Sequence, residues 1–271
     1  MTQITRHVIS ATQQFKTELL TTQQIAFYEA FGFLLRRQAL SRSEMNSIEI
    51  TFETLMLEGR NGEPFNGQER QDMQNLIEHQ SDFKSLMPRI SNAAEQLLGL
   101  GFIFAGSSMN LFVGDSGWHA DLGWHYSMLG GRKPIPSGNF YRGFSVAIYL
   151  DPLTRDNGCL RVIPASHVMP NPILDRLAPT YCDAPHNFFA DGTIKQFAIP
   201  PSEVPCHAIE SEPGDLVFFN NQVWHASFGG KTARRMIRIN YKAKPNTYEE
   251  HEYIYLALKL RREAEKELTR S

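Results

Sequence analysis

His119 and Asp121 stand two residues apart in Gly117-Trp118-His119-Ala120-Asp121-Leu122-Gly123-Trp124-His125. On an extended chain that spacing puts both side chains on one face. An imidazole and a carboxylate so placed supply two thirds of a metal site. The third ligand is expected to be His225, in Trp224-His225-Ala226-Ser227. Two histidines and one carboxylate on one side of a metal leave the opposite positions open, which is the arrangement of non-haem Fe(II) oxygenases. Each residue taken singly is a weak signal. His-x-Asp pairs are common by chance, and a lone His such as His225 serves as readily as a core residue bonded to a backbone carbonyl. Context strengthens the metal reading: glycines and aromatics flank the pair, an isolated His follows a β-rich stretch, and a basic cluster lies just beyond it.

That cluster opens the run Arg234-Arg235-Met236-Ile237-Arg238-Ile239-Asn240-Tyr241. A buried arginine suits a carboxylate, because its planar fork binds both oxygens. A dicarboxylate cosubstrate could therefore chelate a metal at one end and meet an arginine at the other. Strand alternation sends Arg234, Met236, Arg238 and Asn240 one way and Arg235, Ile237, Ile239 and Tyr241 the other. Only one of Arg234 and Arg235 then faces a cavity. For any single arginine here, a solvated surface cluster is the competing reading.

The elements that position these residues follow from pattern. Thr21-Thr22-Gln23-Gln24 opens a short helix, with Thr22 as its expected cap, Ile25, Phe27, Tyr28 and Phe31 as its buried stripe and Gly32 as its end. Phe33-Leu34-Leu35 suggests a strand. Ser41 and Glu44 fit a capping box, predicting a helix to about Leu57. Residues 69–80 and 82–99 look helical. From Gly101 the character changes to short β-rich segments: 102–104, 110–113, 144–150 and 159–163, then 207–210, 215–219, 224–228 and 236–241. The pair Phe144–Leu150 and Cys159–Ile163 resembles a hairpin with a long loop. Residues 166–204 are irregular, the length of loop that often acts as a lid. Residues 248–268 form a charged helix whose polar face is expected in solvent. About eight strands with Gly/Pro turns, helices before and one helix after, predict a mainly β (α+β) chain built on a barrel or double-sheet jelly roll. No linker interrupts it, so one domain is expected over 1–271, with a helical front at about 22–99 and a β core at about 101–243.

Composition excludes several classes. The 271 residues carry a net charge of −2, which offers no global basic field for nucleic acid or a membrane surface. No apolar run approaches the roughly 18 residues of a membrane span. The start, MTQITRHVISATQQF, lacks the apolar core of a signal peptide. Cys159, Cys182 and Cys206 lack metal-like spacing and suit a reduced, cytoplasmic setting.

Three blocks together resemble a known family: His119-x-Asp121, the run Tyr149-Leu150-Asp151-Pro152 through Pro164-Ala165-Ser166-His167, and Pro213-Gly214-Asp215 followed by Trp224-His225-Ala226-Ser227. Their order is similar to that of the phytanoyl-CoA dioxygenase family of Fe(II)/2-oxoglutarate-dependent oxygenases, from about residue 22 to 243. The resemblance implies a double-stranded β-helix, a cupin-like jelly roll. It implies Fe(II) on His119, Asp121 and His225, with O2 and 2-oxoglutarate as cosubstrates. The far carboxylate of 2-oxoglutarate would fall to Arg234, with Arg235 second, and Ser227 would touch the same molecule. His167 would be structural. Related halogenases carry a small residue in place of the ligand carboxylate. Asp121 therefore points to hydroxylation, or to demethylation, desaturation or ring closure, of a small molecule.

The substrate pocket is expected near Trp118, Trp124, His125 and Arg142. Trp224 also flanks a ligand. His125 could instead pack at the surface. Arg132, Lys133 and Arg142 suggest a polar or anionic substrate only as strongly as they suggest a solvated cluster. Two other readings compete: a zinc hydrolase or isomerase on a similar barrel, and a non-catalytic barrel that holds a small ligand. Oligomeric state is not legible.

Overall fold

The computed structural model describes residues 19–67, 70–74, 83, 86–121, 142–168, 203–248, 250–252, 254–255 and 259. Helix α1 (Thr22–Phe31) is capped by Thr21 rather than Thr22: the Thr21 hydroxyl accepts the Gln24 N–H while the Gln24 side chain accepts the Thr21 N–H. Gly32 closes it in the left-handed region at φ 81°, where glycine carries no Cβ penalty. Of the expected stripe only Tyr28 is fully buried; Phe27 and Phe31 stay about 41% and 42% exposed. They lie against each other, 4.7 Å between ring centroids, beside the edge strand β1 (Phe33–Arg36), while Tyr28 turns inward onto Phe144.

Helix α2 (Arg42–Glu58) has the predicted Ser41/Glu44 capping box and buries Met45, Ile48, Phe52 and Met56, one face of a 3.6-residue period. Part of the expected helix over 69–80 is instead a strand, β2 (Gln71–Gln74). It pairs antiparallel with β3, and that long-range ladder overrides the polar local pattern. Helix α3 (Met87–Leu98) begins with Pro88 in its first turn and buries Ile90, Ala93, Ala94, Leu97 and Leu98. The two short strands expected after Gly101 are one, β3 (Ile103–Phe112). The rest are β4 (Ser116–His119), β5 (Gly143–Tyr149), β6 (Leu160–Val162), β7 (His207–Ile209), β8 (Leu216–Asn220), β9 (His225–Ser227) and β10 (Arg234–Lys242). Residues 248, 250–252 and 254–255 are helical, and Ile254 is buried.

Two antiparallel sheets face each other, one ordered β1-β8-β5-β10-β3-β2 and the other β4-β9-β6-β7. The expected hairpin between β5 and β6 does not form. β5 pairs with β10 and β8, whereas β6 pairs with β7 and β9, so the turn between them carries the chain from one sheet to the other. That exchange is what closes a double-stranded β-helix. The larger sheet is buried on both faces. On its outer face Val146, Ile148, Phe218, Ile237, Ile239 and Tyr241 pack with Phe52 and Met56 of α2 and Ile90 and Ala94 of α3. On its inner face Ala147, Tyr149, Val217 and Phe219 meet Leu160, Val162 and Ile209 of the smaller sheet. Each large side chain so buried contributes roughly 1.5–3 kcal/mol. Among the described residues no helix is long and apolar enough to cross a membrane.

Candidate metal centre

His119 ends β4 and His225 begins β9, and the register pairs them directly. Their ring centroids lie 4.2 Å apart. Asp121 follows β4, where its N–H donates to the Asn221 carbonyl at 2.9 Å. The turn that presents His225 is held by one polar group of its own and one from a distant loop: the Asn220 side chain accepts the Gln222 N–H at 2.9 Å and the buried Ser166 hydroxyl accepts the Trp224 N–H at 2.8 Å. Nδ1 of His119 meets the Gly117 carbonyl at 2.7 Å, and Nδ1 of His225 meets the Val223 carbonyl at 2.9 Å. A carbonyl only accepts, so each Nδ1 carries the proton and each Nε2 keeps its lone pair for a metal. His225 Nε2 stands 3.7 Å from Asp121 Oδ1, and ligand atoms of all three residues lie within 4.8 Å of one another.

The charge states suit coordination. Burial, helped by His225 beside it, pushes the His119 imidazole down to about 4 and keeps it neutral. Burial alone would raise the Asp121 carboxyl. The positive charge around it, Arg238 foremost, outweighs burial and holds that carboxyl well below the usual range. Two imidazole nitrogens and one carboxylate oxygen fit a divalent first-row metal, with iron(II) among the ions such a mixed set serves.

The histidines open onto a cavity of about 670 Å3, its mouth included. Arg234 and Ser227 also line it. Arg234 is buried; Nη1 donates to Ser227 Oγ at 2.6 Å and to the Gly158 carbonyl at 2.7 Å, and Nη2 donates to the Gly114 carbonyl at 2.6 Å. Its guanidinium lies over Phe112, 4.9 Å from the ring centroid. These contacts fix a cation at the wall of the cavity.

Several expected pocket residues lie elsewhere. Arg235 does not line the cavity. It points toward α2, where it meets Asp151 and Glu49 at 2.6 Å and Glu53 at 2.8 Å. Trp118 is 1% exposed and packs with Ile163, Trp224 and Phe228, a core position and not a pocket wall. Arg142 is exposed and donates to the Leu97 carbonyl at 2.9 Å, which ties it to the end of α3. Trp124, His125, Arg132, Lys133 and Cys182 lie outside the described residues, as do 1–18 and most of the 166–204 loop. His167, expected to be structural, sets Nε2 3.1 Å from the Glu29 carbonyl.

The sequence reading missed three residues near the ligands. Arg238 lines the cavity with Nη1 3.6 Å from Asp121 Oδ1. Its signal was the alternation that puts it on the same face as Arg234. Asn221 donates to Asp121 Oδ2 at 3.3 Å, and Lys242 donates to Asn221 Oδ1 at 2.9 Å. Burial pushes the Lys242 ammonium down to about 8, against the pull of Asp121. Lys242 continues the alternation of Arg234 and Arg238 one step past Asn240; nothing local marks Asn221.

The family model described as phytanoyl-CoA dioxygenase matches residues 28–238. No curated protein matches the chain. Among solved structures, EctD from S. alaskensis in its apoform is 20% identical with a TM-score of 0.59, over 83% of this chain and 77% of that one. The non-heme alpha ketoglutarate dependent epimerase SnoN from nogalamycin biosynthesis is 16% identical with a TM-score of 0.57, over 82% and 80%. HygX from Streptomyces hygroscopicus, with nickel and 2-oxoglutarate bound, is 15% identical with a TM-score of 0.58, over 85% and 90%. At these identities the likeness is one of fold.

Proposed function

The chain belongs to the phytanoyl-CoA dioxygenase family of non-haem Fe(II)/2-oxoglutarate-dependent dioxygenases, and we propose that it oxidises a C–H bond of a small molecule at a centre formed by His119, Asp121 and His225. The observation that carries this reading is the convergence of that triad with Arg234 and Ser227 on one cavity. Iron(II), when bound, supplies the coupling of O2 reduction to oxidative decarboxylation of 2-oxoglutarate, with release of succinate and CO2.

The chain's own residues bind, orient and exclude. His119 and His225 offer Nε2, each ring held by a backbone carbonyl on its other nitrogen. Asp121 stays ionised and offers the carboxylate. Arg234 and Ser227 take the far carboxylate of 2-oxoglutarate, a task suited to a fixed planar fork. Phe112, Leu160, Phe219 and Met236 make apolar walls that keep water from the reacting centre. The whole chain acts as one domain, the helices buttressing the sheet that carries Arg234. A zinc hydrolase has no use for a second carboxylate anchor at the far end of the cavity, and a non-catalytic barrel has none for a compact triad. Hydroxylation is the simplest outcome of the oxidation; demethylation, desaturation and ring closure use the same centre.

The test is succinate formation by anaerobically Fe(II)-loaded protein given 2-oxoglutarate and then air. Slow succinate release, lost in Asp121→Ala and His225→Ala, is the expected result. No succinate, together with no 2-oxoglutarate-dependent absorption band in the Fe(II) protein, overturns the cosubstrate assignment.

A further inference from the structure

Behind Asp121 lies a buried polar network that the chemistry above does not use, centred on Asn221. Its Oδ1 accepts from Lys242 Nζ at 2.9 Å. Its Nδ2 donates to Ser145 Oγ at 2.9 Å and to Asp121 Oδ2 at 3.3 Å. Ser145 donates onward to Asn240 Oδ1 at 2.7 Å. Asn221, Lys242 and Ser145 are all buried. The direction of each bond follows from Lys242. An ammonium donates and never accepts, so the amide oxygen of Asn221 must face it. The amide nitrogen is then committed to Asp121 and Ser145. Without Lys242 the amide could turn over and set oxygen against carboxylate.

The two oxygens of Asp121 consequently differ. Oδ1 looks toward His225 Nε2 at 3.7 Å and Arg238 at 3.6 Å, the metal side. Oδ2 is held by Asn221, whose backbone carbonyl also accepts the Asp121 N–H at 2.9 Å. We infer that Asn221, oriented by Lys242, is a positioning residue that reserves Asp121 Oδ2 and so limits the carboxylate to one oxygen on the metal. A second carboxylate oxygen would occupy a position that 2-oxoglutarate or O2 needs. The inference rests on the triad being the metal site.

Charge and orientation predict opposite signs for one variant. A cation near a metal ion repels it, so loss of the Lys242 charge alone would tighten metal binding. Loss of the orientation of Asn221 would weaken it. Ni(II) is titrated calorimetrically into the metal-free full-length protein, and 2-oxoglutarate into the Ni(II)-loaded protein, for wild type, Lys242→Met, Lys242→Gln and Asn221→Ala. Melting temperatures of the metal-free forms are recorded alongside. Lys242→Met and Asn221→Ala should each weaken Ni(II) binding about tenfold or more, the range for lost outer-shell partners of metal ligands. Both should weaken 2-oxoglutarate as well. Lys242→Gln keeps a donor without the charge and should recover most of the loss. Ni(II) binding by Lys242→Met that is unchanged or tighter overturns the inference; if that variant does not fold, unchanged binding by Asn221→Ala does so. Wild-type protein that binds no Ni(II), or that binds it equally after Asp121→Ala, removes the metal site itself and the inference with it.

Discussion

Arg234 and Arg235 are consecutive on β10, yet their guanidinium groups end on opposite faces of the sheet. Arg234 turns inward to Ser227 Oγ at 2.6 Å, beside the candidate metal ligands. Arg235 turns outward to Asp151 and to Glu49 and Glu53 of α2. The period of two in a strand makes this separation unavoidable. It sets Arg234 at the cavity and Arg235 against α2, and the role proposed for each is testable.

Arg234→Lys keeps the charge and loses the fork. A lysine cannot meet Ser227 and both carbonyls of Gly114 and Gly158 that Arg234 now satisfies. Hydrogen bonds to charged groups contribute roughly 1.5–3 kcal/mol each. Titration of 2-oxoglutarate into Ni(II)-loaded protein should therefore show affinity weakened about 10- to 100-fold. An unchanged affinity would show that Arg234 is not the carboxylate anchor.

Arg235→Met should do the reverse. It removes a partly exposed ion network between β10 and α2, which contributes on the order of 1 kcal/mol. Thermal unfolding should shift down by a few degrees while 2-oxoglutarate affinity stays within twofold of wild type. A large loss of affinity would place Arg235 in the site after all.

Gly158 tests the placement of Arg234 from the other side. Its φ is 101°, and an added Cβ would run into the Arg234 guanidinium. Gly158→Ala should cost about 1–3 kcal/mol in backbone strain and weaken 2-oxoglutarate through displacement of Arg234. Gly62→Ala is the control: φ is 83° there, and a Cβ would meet nothing within 4 Å. It should lose stability without losing cosubstrate affinity. Equal loss of affinity in both would mean that strain, not contact with Arg234, is responsible.

Lys242 gives a pH dependence with a defined sign. Burial pushes its folded value down to about 8 from an ordinary 10.5. Between these values the unfolded chain binds more protons than the folded one, so this group makes stability rise with pH across that window. Chemical denaturation of metal-free wild type and Lys242→Met from pH 7.5 to 10.5 should show wild type gaining relative to the variant. A constant difference would mean that the folded and unfolded values of Lys242 coincide.

Much of this architecture is legible one residue at a time. The Ser41/Glu44 capping box, the Gly32 stop, the strand over 144–149 and the shared face of Arg234, Met236 and Arg238 all follow from local spacing. Turn chemistry and periodicity are properties of a few neighbouring residues, so their local order exposes them. The errors have a common physical origin as well. The helix expected over 69–80 gives way at Gln71–Gln74 to a strand, because pairing with the distant β3 decides what these polar residues leave undecided locally. Trp118 looked like a pocket wall because it adjoins a ligand. Alternation turned it instead into the cluster with Ile163 and Trp224.

By itself the sequence determined the chemistry on offer: a His-x-Asp pair, a distant second histidine, a basic strand and enough β-forming segments for a jelly roll. The tertiary structure alone decided which groups meet. The β4–β9 register set His119 against His225, the passage of the chain between sheets after β5 closed the cavity, and the inward face of β10 chose Arg234 over Arg235. It also brought Lys242 and Asn221 behind Asp121, a contact that no local pattern announces. Spacing along the chain dictates which face a side chain takes. What that face looks onto depends on strands paired across long sequence separations, and only the folded sheets settle it.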